Sequence, residues 1–466
     1  MDLNPTHSEL PQTLRKDENP YRPPVPIGPD KKKIGPDKKK GWVEQLKGKQ
    51  DALVCLVDQG IVSVAGFVTT ILIGRYSSSE LGVYYIALHI VLFVRGIQQQ
   101  MICIPYTIYQ HQHSDQRAEQ YRGSCLVQHF GLMALALLFV AGQTIFTVNG
   151  WGEAESVPTL LVLLALLPVL MMREIARHYC FTHLKKVSAL IIDTSISALQ
   201  IGALLALSYF GYLPSYAAWA VIGLASLLTI AVWYFKSGPK IGFFKSSIKS
   251  DWGQNWSFGK WAVAGQLVGS FPSFLLPLVL ASVVSTTGTG YFAAAMTLIG
   301  LANIFNSGMT NFLTPRAALI YVEQGVAGLQ KMLIKMAILF LVTLGSFILL
   351  IAFCGGWIAE LIYGYPNLHT VMTVLAIAKI FEAMVIVAST GLMVMERIKE
   401  NFYVDICLMI FALIAMACLV SPLGIVGAAW TSAASAIFSA VARLGVLRHF
   451  LKVQAKLEQA QLEGAQ

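Results

Sequence analysis

The amino-acid sequence predicts an all-α polytopic membrane protein of about 12 transmembrane helices in two parallel six-helix bundles. Three observations predict it: a composition too poor in charge to make a water-facing surface, apolar runs of spanning length repeated along the chain, and a weak internal repeat at an offset of about 210 residues. Charged residues make up 13% of the 466 and apolar residues 56%, with mean hydropathy +0.62. A soluble domain carries about 25% charged residues. Each apolar run of about 20 residues is long enough to cross a hydrocarbon core of about 30 Å as a helix, the form that satisfies its own backbone hydrogen bonds. The alternation of period two that marks a membrane barrel is absent.

Residues 1–50 are rich in Pro, Lys and Asp and hold a tandem repeat, Ile27-Gly28-Pro29-Asp30-Lys31-Lys32-Lys33 followed by Ile34-Gly35-Pro36-Asp37-Lys38-Lys39-Lys40. This segment cannot build a core and is expected to be a disordered basic cytoplasmic tail, with anionic membrane lipids as its partner. Without a cleavable signal peptide, the first span is the targeting signal. The spans then read 52–74, 81–104, 124–146, 157–172, 187–209, 216–235, 261–283, 290–313, 331–354, 370–395, 402–420 and 425–447. An N-terminal six-helix lobe (51–235) and a C-terminal one (261–447) are thus joined by a cytoplasmic linker (236–260), and a second tail follows (448–466).

Basic residues set the orientation. Of 34 Lys and Arg, 31 lie in the tails, in 105–123, 173–186, 236–260, 314–331 and 396–401, or at adjacent helix ends. The opposite loops, 75–80, 147–156, 210–215, 284–289, 355–369 and 421–424, hold only Arg75. That asymmetry places the first set, and both termini, in the cytoplasm. It also explains the net charge of +9 without nucleic acid as a partner. The seven cysteines (Cys55, Cys103, Cys125, Cys180, Cys354, Cys407 and Cys418) lie in or beside apolar spans and read as small buried residues. The nine histidines show no metal spacing.

The halves match at three places: Leu81-Gly82-Val83-Tyr84 with Thr289-Gly290-Tyr291-Phe292, Lys185-Lys186 and Asp193 with Arg397, Lys399 and Asp405, and Ala217-Ala218-Trp219 with Ala428-Ala429-Trp430. Six spans per half is an even number, so both halves insert alike and are related by a pseudo-twofold axis along the membrane normal. Such halves rock against each other around a central polar site.

Charge inside a span is costly and marks a cavity or a partner. Asp58 and Arg95 flank the first outer loop at matching depth, so an expected pair across spans one and two is feasible. It either holds the bundle together or steers Arg95, with Gln98, Gln99, Gln100 and His89 nearby, to offer a guanidinium to an anionic substrate; Asp58 is also a candidate for ion coupling or gating. Lys379 and Glu382, three residues apart, either neutralise each other or give a second cationic contact or a proton-coupled carboxylate. Asp193 and Asp405 are candidates for helix–helix hydrogen bonding, ion coupling or gating. Pro272 and Pro277 are candidate hinges in the seventh span.

Several short segments carry a family resemblance. Phe67 to Leu88, FVTTILIGRYSSSELGVYYIAL, resembles the first hairpin of polysaccharide flippases. Ser257-Phe258-Gly259-Lys260-Trp261, Gly290-Tyr291-Phe292-Ala293-Ala294, Leu313-Thr314-Pro315-Arg316 and Gly424-Ile425-Val426-Gly427-Ala428-Ala429 resemble the starts and exits of later helices in that family. The resemblance spans residues 50–450 and points to the multidrug/oligosaccharidyl-lipid/polysaccharide exporter superfamily. It implies a V-shaped, two-lobed exporter of the cytoplasmic membrane, not an enzyme. It also implies the flipping of an isoprenoid-pyrophosphate-linked oligosaccharide for O-antigen, capsule or exopolysaccharide assembly, with polysaccharide assembly proteins as partners. Arg95 matches the cationic cavity such a substrate needs, whereas Lys379, beside Glu382, departs from it.

The competing readings are an ion-coupled multidrug antiporter of the same superfamily, a major-facilitator transporter and a membrane polysaccharide polymerase or ligase. The second lacks its basic loop signature between spans two and three, and the third lacks a large outer loop with catalytic residues. No Walker motif is present, so no cofactor is expected beyond Na+ or H+ as the coupling ion.

Overall fold

The computed structural model describes residues 38–242 and 245–463, which are helical with no strand among them. The tandem repeat before Lys38 and most of the expected N-terminal tail lie outside the described residues. Helix α1 (Lys38–Tyr76) starts well before residue 52, and its stretch Leu53–Tyr76 is apolar enough to cross a membrane.

α2 (Ser78–Gln98) continues through a π-helical turn at Gln99–Cys103 into α3 (Ile104–Tyr109). Pro105 has no N–H to return to the Met101 carbonyl. The ladder slips by one residue there, and the Ile104 N–H bonds Gln99 O. α4 (Asp115–Phe146), α5 (Val157–Thr182), α6 (Lys186–Tyr209) and α7 (Ser215–Ser237) complete the first half. α8 (Lys245–Val283) begins inside the segment read from sequence as a linker, so most of 236–260 is helix. Arg117 forms an ion pair with Asp251, and Tyr121 donates to Asn255 Oδ1 at 2.7 Å, which seats this extension on α4. α9 (Thr286–Ile299), α10 (Leu301–Tyr363), α11 (His369–Val394) and α12 (Ile398–Glu463) follow, and α12 carries helix into the expected C-terminal tail.

Ten helices among the described residues are long and apolar enough to cross a membrane. Two of them fold back on themselves. In α12, Arg443 pairs with Asp405, 38 residues away. A straight helix would separate them by about 57 Å. The reversal is at Gly424, whose φ of 56 is open to a residue without a Cβ. In α10, Phe305 and Phe340 sit with ring centroids 5.8 Å apart across the break at Gly325 (φ 64). With α9 and the first limb of α10 taken as one pass, the fold accommodates the twelve expected passes.

The six loops grouped as outer from their lack of charge are tied together at one end. Arg75 donates to the Ile362 and Leu361 carbonyls at 2.7 and 2.8 Å. Glu155 accepts from Ser79 and Thr286, and Glu80 accepts the Ser215 N–H at 2.6 Å. Gly424 approaches Val284. The basic loops meet at the other end, where the His111 ring bonds Thr182 O at 2.8 Å and the Gly242 N–H bonds Glu119 O at 3.1 Å.

The internal repeat reappears as a reciprocal contact. Ser77 caps α2 by accepting the Glu80 N–H, and Ser285 caps α9 by accepting the Gly288 N–H. Both members of the second cap lie 208 residues after those of the first. α2 and α9 then cross at Gly82 and Gly290: Gly82 abuts the Thr286 carbonyl, and Gly290 abuts the Ser78 carbonyl. Residue 78 meets 290 and residue 82 meets 286, so one patch faces its own repeat, the signature of a twofold relation.

Candidate functional site

The polar residues singled out from sequence fall into two groups, one on the first six passes and one on the last six. The first is organised by the end of α5, where Arg173, Glu174, Arg177 and His178 lie within two turns. Residues 173 and 177 share one face, and 174 and 178 the next.

Arg177 is the hub. Its Nη2 lies 2.8 Å from Asp58 Oδ2 on α1, and its Nε lies 2.7 Å from Asp193 Oδ2 on α6. Arg173 Nη2 holds the other oxygen of Asp193 at 2.9 Å. Arg95 Nε, on α2, reaches Glu174 Oε2 at 2.8 Å, and His178 Nδ1 approaches the second Glu174 oxygen at 3.3 Å. The Arg177 guanidinium also lies 5.3 Å from the Phe181 ring centroid. Four helices are thereby bolted together.

The expected Asp58–Arg95 pair does not form. The depth reckoning behind it holds, because the partners of both residues, Arg177 and Glu174, are three residues apart on α5. What sequence reasoning missed is the neighbour. Residues 173–186 count among the basic cytoplasmic segments, yet Arg177 and Glu174 supply the opposite charge to Asp58 and Arg95. The spacing of two arginines four apart, with a glutamate beside the first, was the signal available.

The network has a definite polarity. Three carboxylates face three guanidiniums, so with His178 neutral the formal charge cancels. The carboxylates lie beneath and the cations on top: the Arg95 side chain is 40% exposed over Glu174 at 7%, and Arg173 is 20% exposed over Asp193 at 0%. The buried carboxylates fix where each guanidinium points, and one bond to a carboxylate leaves other donors of the fork unspent.

The neighbouring residues divide. Gln98 is buried and donates to Met171 O at 2.8 Å, so its amide ties α2 to α5. Gln99 is exposed and Gln100 half-buried. The His89 ring bonds Tyr85 O at 2.9 Å and packs on the Tyr85 ring at 4.2 Å, and it makes no recorded contact with Arg95.

The second group lines a cavity of about 260 Å³ among α8, α9, α11 and α12. Lys379 Nζ lies 2.7 Å from Glu382 Oε2, and both face the cavity with Pro272, Thr431, Ser435 and Ser439. Ser435 Oγ is buried without a partner. Here the polarity is reversed, with Lys379 6% and Glu382 42% exposed. Arg443 closes the rim by binding Asp405 and Ser439, with its Nε 3.3 Å from Asn401 Oδ1. Asp193 and Asp405 are therefore both held by arginine. α8 runs through Pro272 and Pro277 as one helix, and Pro277 is buried. Among the described residues no cluster of His, Cys, Asp and Glu is placed to hold a metal ion.

No protein-family model matches this chain, and no curated protein matches it either. Solved structures do match. The chain is similar to an inward-facing multidrug resistance MATE family transporter of the MOP superfamily, with TM-score 0.70 and 14% identity over 85% of this chain and 96% of that one. It is similar to the lipid II flippase MurJ in an inward closed conformation, with TM-score 0.71 and 15% identity over 85% and 87%. Against an outward-facing MATE transporter the TM-score is 0.58, with 14% identity over 87% and 95%. The chain has the fold of MOP-superfamily transporters.

Proposed function

We propose that this protein is an alternating-access flippase that moves an isoprenoid-pyrophosphate-linked oligosaccharide across the cytoplasmic membrane for polysaccharide assembly, with both termini in the cytoplasm. The observation that carries this reading is that Arg95, Arg173 and Arg177 are each more exposed than the buried carboxylate they hold. Each phosphate of a pyrophosphate offers paired oxygens that the planar guanidinium fork can bind bidentately, which an ammonium cannot. Two six-helix lobes, 51–235 and 261–447, rock about the twofold relation at Gly82 and Gly290. The tied outer loops and the higher TM-scores to inward-facing structures support a state shut on the outer side. The fold supports transport over polymerase or ligase chemistry.

A second reading is favoured by one observation: Glu382 is exposed over a buried Lys379 in a cavity rich in hydroxyls. That polarity suits a cation, either a coupling Na+ or H+ or the substrate of a multidrug antiporter. Proteoliposomes separate the two. In the flippase reading, a fluorescent isoprenoid-pyrophosphate oligosaccharide changes leaflet, Arg95→Ala stops it and Glu382→Gln affects only its dependence on an ion gradient. Uptake of a fluorescent cation that is lost in Glu382→Gln and indifferent to Arg95→Ala would reverse the assignment.

A further inference from the structure

A second cavity, of about 490 Å³, lies among the π-helical turn, α4, α5, α7 and the 238–242 segment, and touches the first group only at His178. Its volume falls in the range of about 300–1,000 Å³ typical of small-molecule sites. Its lining is mostly apolar, including Phe130, Met133, Pro168 and Ile230, and takes in Pro239 and Ile241 of the 238–242 segment. The Gly242 N–H bond to Glu119 O holds that segment against α4.

Polar side chains interrupt the apolar lining, among them Tyr106, His178, Tyr179, Arg122 and Trp233. Arg122 Nε donates to Ala118 O at 3.3 Å, and its guanidinium pairs with no carboxylate among the described residues. The indole N–H of Trp233 is buried and lacks an acceptor. An unspent guanidinium and an unspent donor beside a greasy slot describe an amphiphile with an anionic head and a polar neck.

Length narrows the choice. From Arg122 to Met133 on α4, and from Pro168 to His178 on α5, the cavity follows ten or eleven residues of helix, about 16 Å. That is close to half of the ~30 Å hydrocarbon core, the depth of one leaflet. An acyl chain of a leaflet lipid fits this depth, whereas a long polyisoprenoid exceeds it. We propose that this cavity is a specific site for an anionic diacyl phospholipid of the leaflet adjoining the 236–260 segment. Its phosphate sits on Arg122, its glycerol ester oxygens accept from Trp233, and one acyl chain runs toward Met133 and Pro168. The site meets the Arg95 network only at His178 and is independent of the transported substrate.

The test uses the full chain, delipidated in detergent and equilibrated in turn with phosphatidylglycerol, phosphatidylcholine and a long-chain isoprenyl phosphate. Retained lipid is counted by native mass spectrometry. Phosphatidylglycerol should be retained about tenfold over phosphatidylcholine, and Arg122→Ala should abolish that preference, as expected for loss of a charge-assisted bond. Trp233→Phe should weaken retention two- to fivefold at unchanged thermal stability, and Ala231→Trp should exclude the lipid by filling the slot. Equal retention of both phospholipids, isoprenyl phosphate outcompeting phosphatidylglycerol, or retention unchanged in Trp233→Phe and Ala231→Trp would each overturn the assignment. The latter two variants keep the test decisive if Arg122→Ala fails to fold.

Discussion

The crossing of α2 and α9 makes a double-mutant experiment sharper than either single one. A Cβ added to Gly82 would sit 2.9 Å from the Thr286 carbonyl carbon, and one added to Gly290 would sit 2.7 Å from the Ser78 carbonyl carbon. Ordinary contact begins at 3.4 Å, and the carbonyl oxygens lie closer still. Both obstacles are backbone, so no rotamer relieves them, and the helices must part by about 1 Å. Overpacking of this kind costs about 1–3 kcal/mol. In Gly82→Ala or Gly290→Ala alone, that cost falls on the state in which the outer loops are tied together. It should shift population away from that state by about 5- to 150-fold. Because the contact is reciprocal, one separation accommodates both methyls. Gly82→Ala/Gly290→Ala should therefore cost little more than the worse single variant, with a coupling about as large as either. Accessibility of a cysteine introduced near Ser79 to a membrane-impermeant thiol reagent reads the population, and thermal unfolding in detergent reads the stability. Additive costs, or single variants indistinguishable from wild type, would refute the reciprocal crossing.

Three further outcomes follow from specific contacts. Arg177→Ala strands the buried carboxylate of Asp58 and leaves Asp193 to Arg173 alone, and should cost about 3–5 kcal/mol in thermal unfolding, with Asp58→Asn in the same chain returning part of it. Arg75→Ala removes two bonds to the last carbonyls of α10 from an exposed site, so global stability should change by about 1 kcal/mol or less while outer-side thiol accessibility rises. Burial pushes the His183 imidazole down to about 4, and Arg122, His111 and Lys185 add to the shift. The unfolded chain takes up this proton first, near pH 6.5, so the stabilisation is complete above that pH and drains as pH falls toward 4. His183→Gln should flatten this part of an unfolding-midpoint profile measured between pH 7 and 4.5.

What was legible in the sequence was whatever depends on periodicity and composition. Span positions follow from apolar run length, and the division of loops into two ends follows from Arg and Lys placement. The match of Gly82 to Gly290 was legible as a repeat, but its meaning as a contact was not, because a sequence gives the offset and not the approach. The Lys379–Glu382 pair was readable since it is local to one helix. Asp58 and Arg95 were found and their depths matched, yet they were paired with each other because chain order suggests that consecutive helices are neighbours. The polar groups of α5 were hidden for a related reason: Arg173 and Arg177 count toward the positive-inside signal whether they point to water or to Asp193. The helical form of the 236–260 segment was not legible either. Its charge marks a side of the membrane, while its helix is seated by tertiary partners, Arg117 and Tyr121 on α4, that no local pattern records.

The two polar groups pose a requirement that either one alone would not. In the first half the carboxylates are buried and arginine is presented; in the second half lysine is buried and a carboxylate is presented. Each buried charge is costly unless it is paired, so each pair holds its exposed member in place. If both exposed members served a single anionic substrate, Glu382 would repel the pyrophosphate that Arg95 attracts. The arrangement is consistent only if they act on different species or at different stages, with the anion on the first half and a cation on the second. In the proposed reading, a pyrophosphate moved against its own gradient needs a driving ion, and a carboxylate lining a small hydroxyl-rich cavity, on the opposite half from Arg95, Arg173 and Arg177, is where a cation could bind without competing with them. The opposed polarity of the halves therefore argues for coupling between two sites over a single amphoteric chamber.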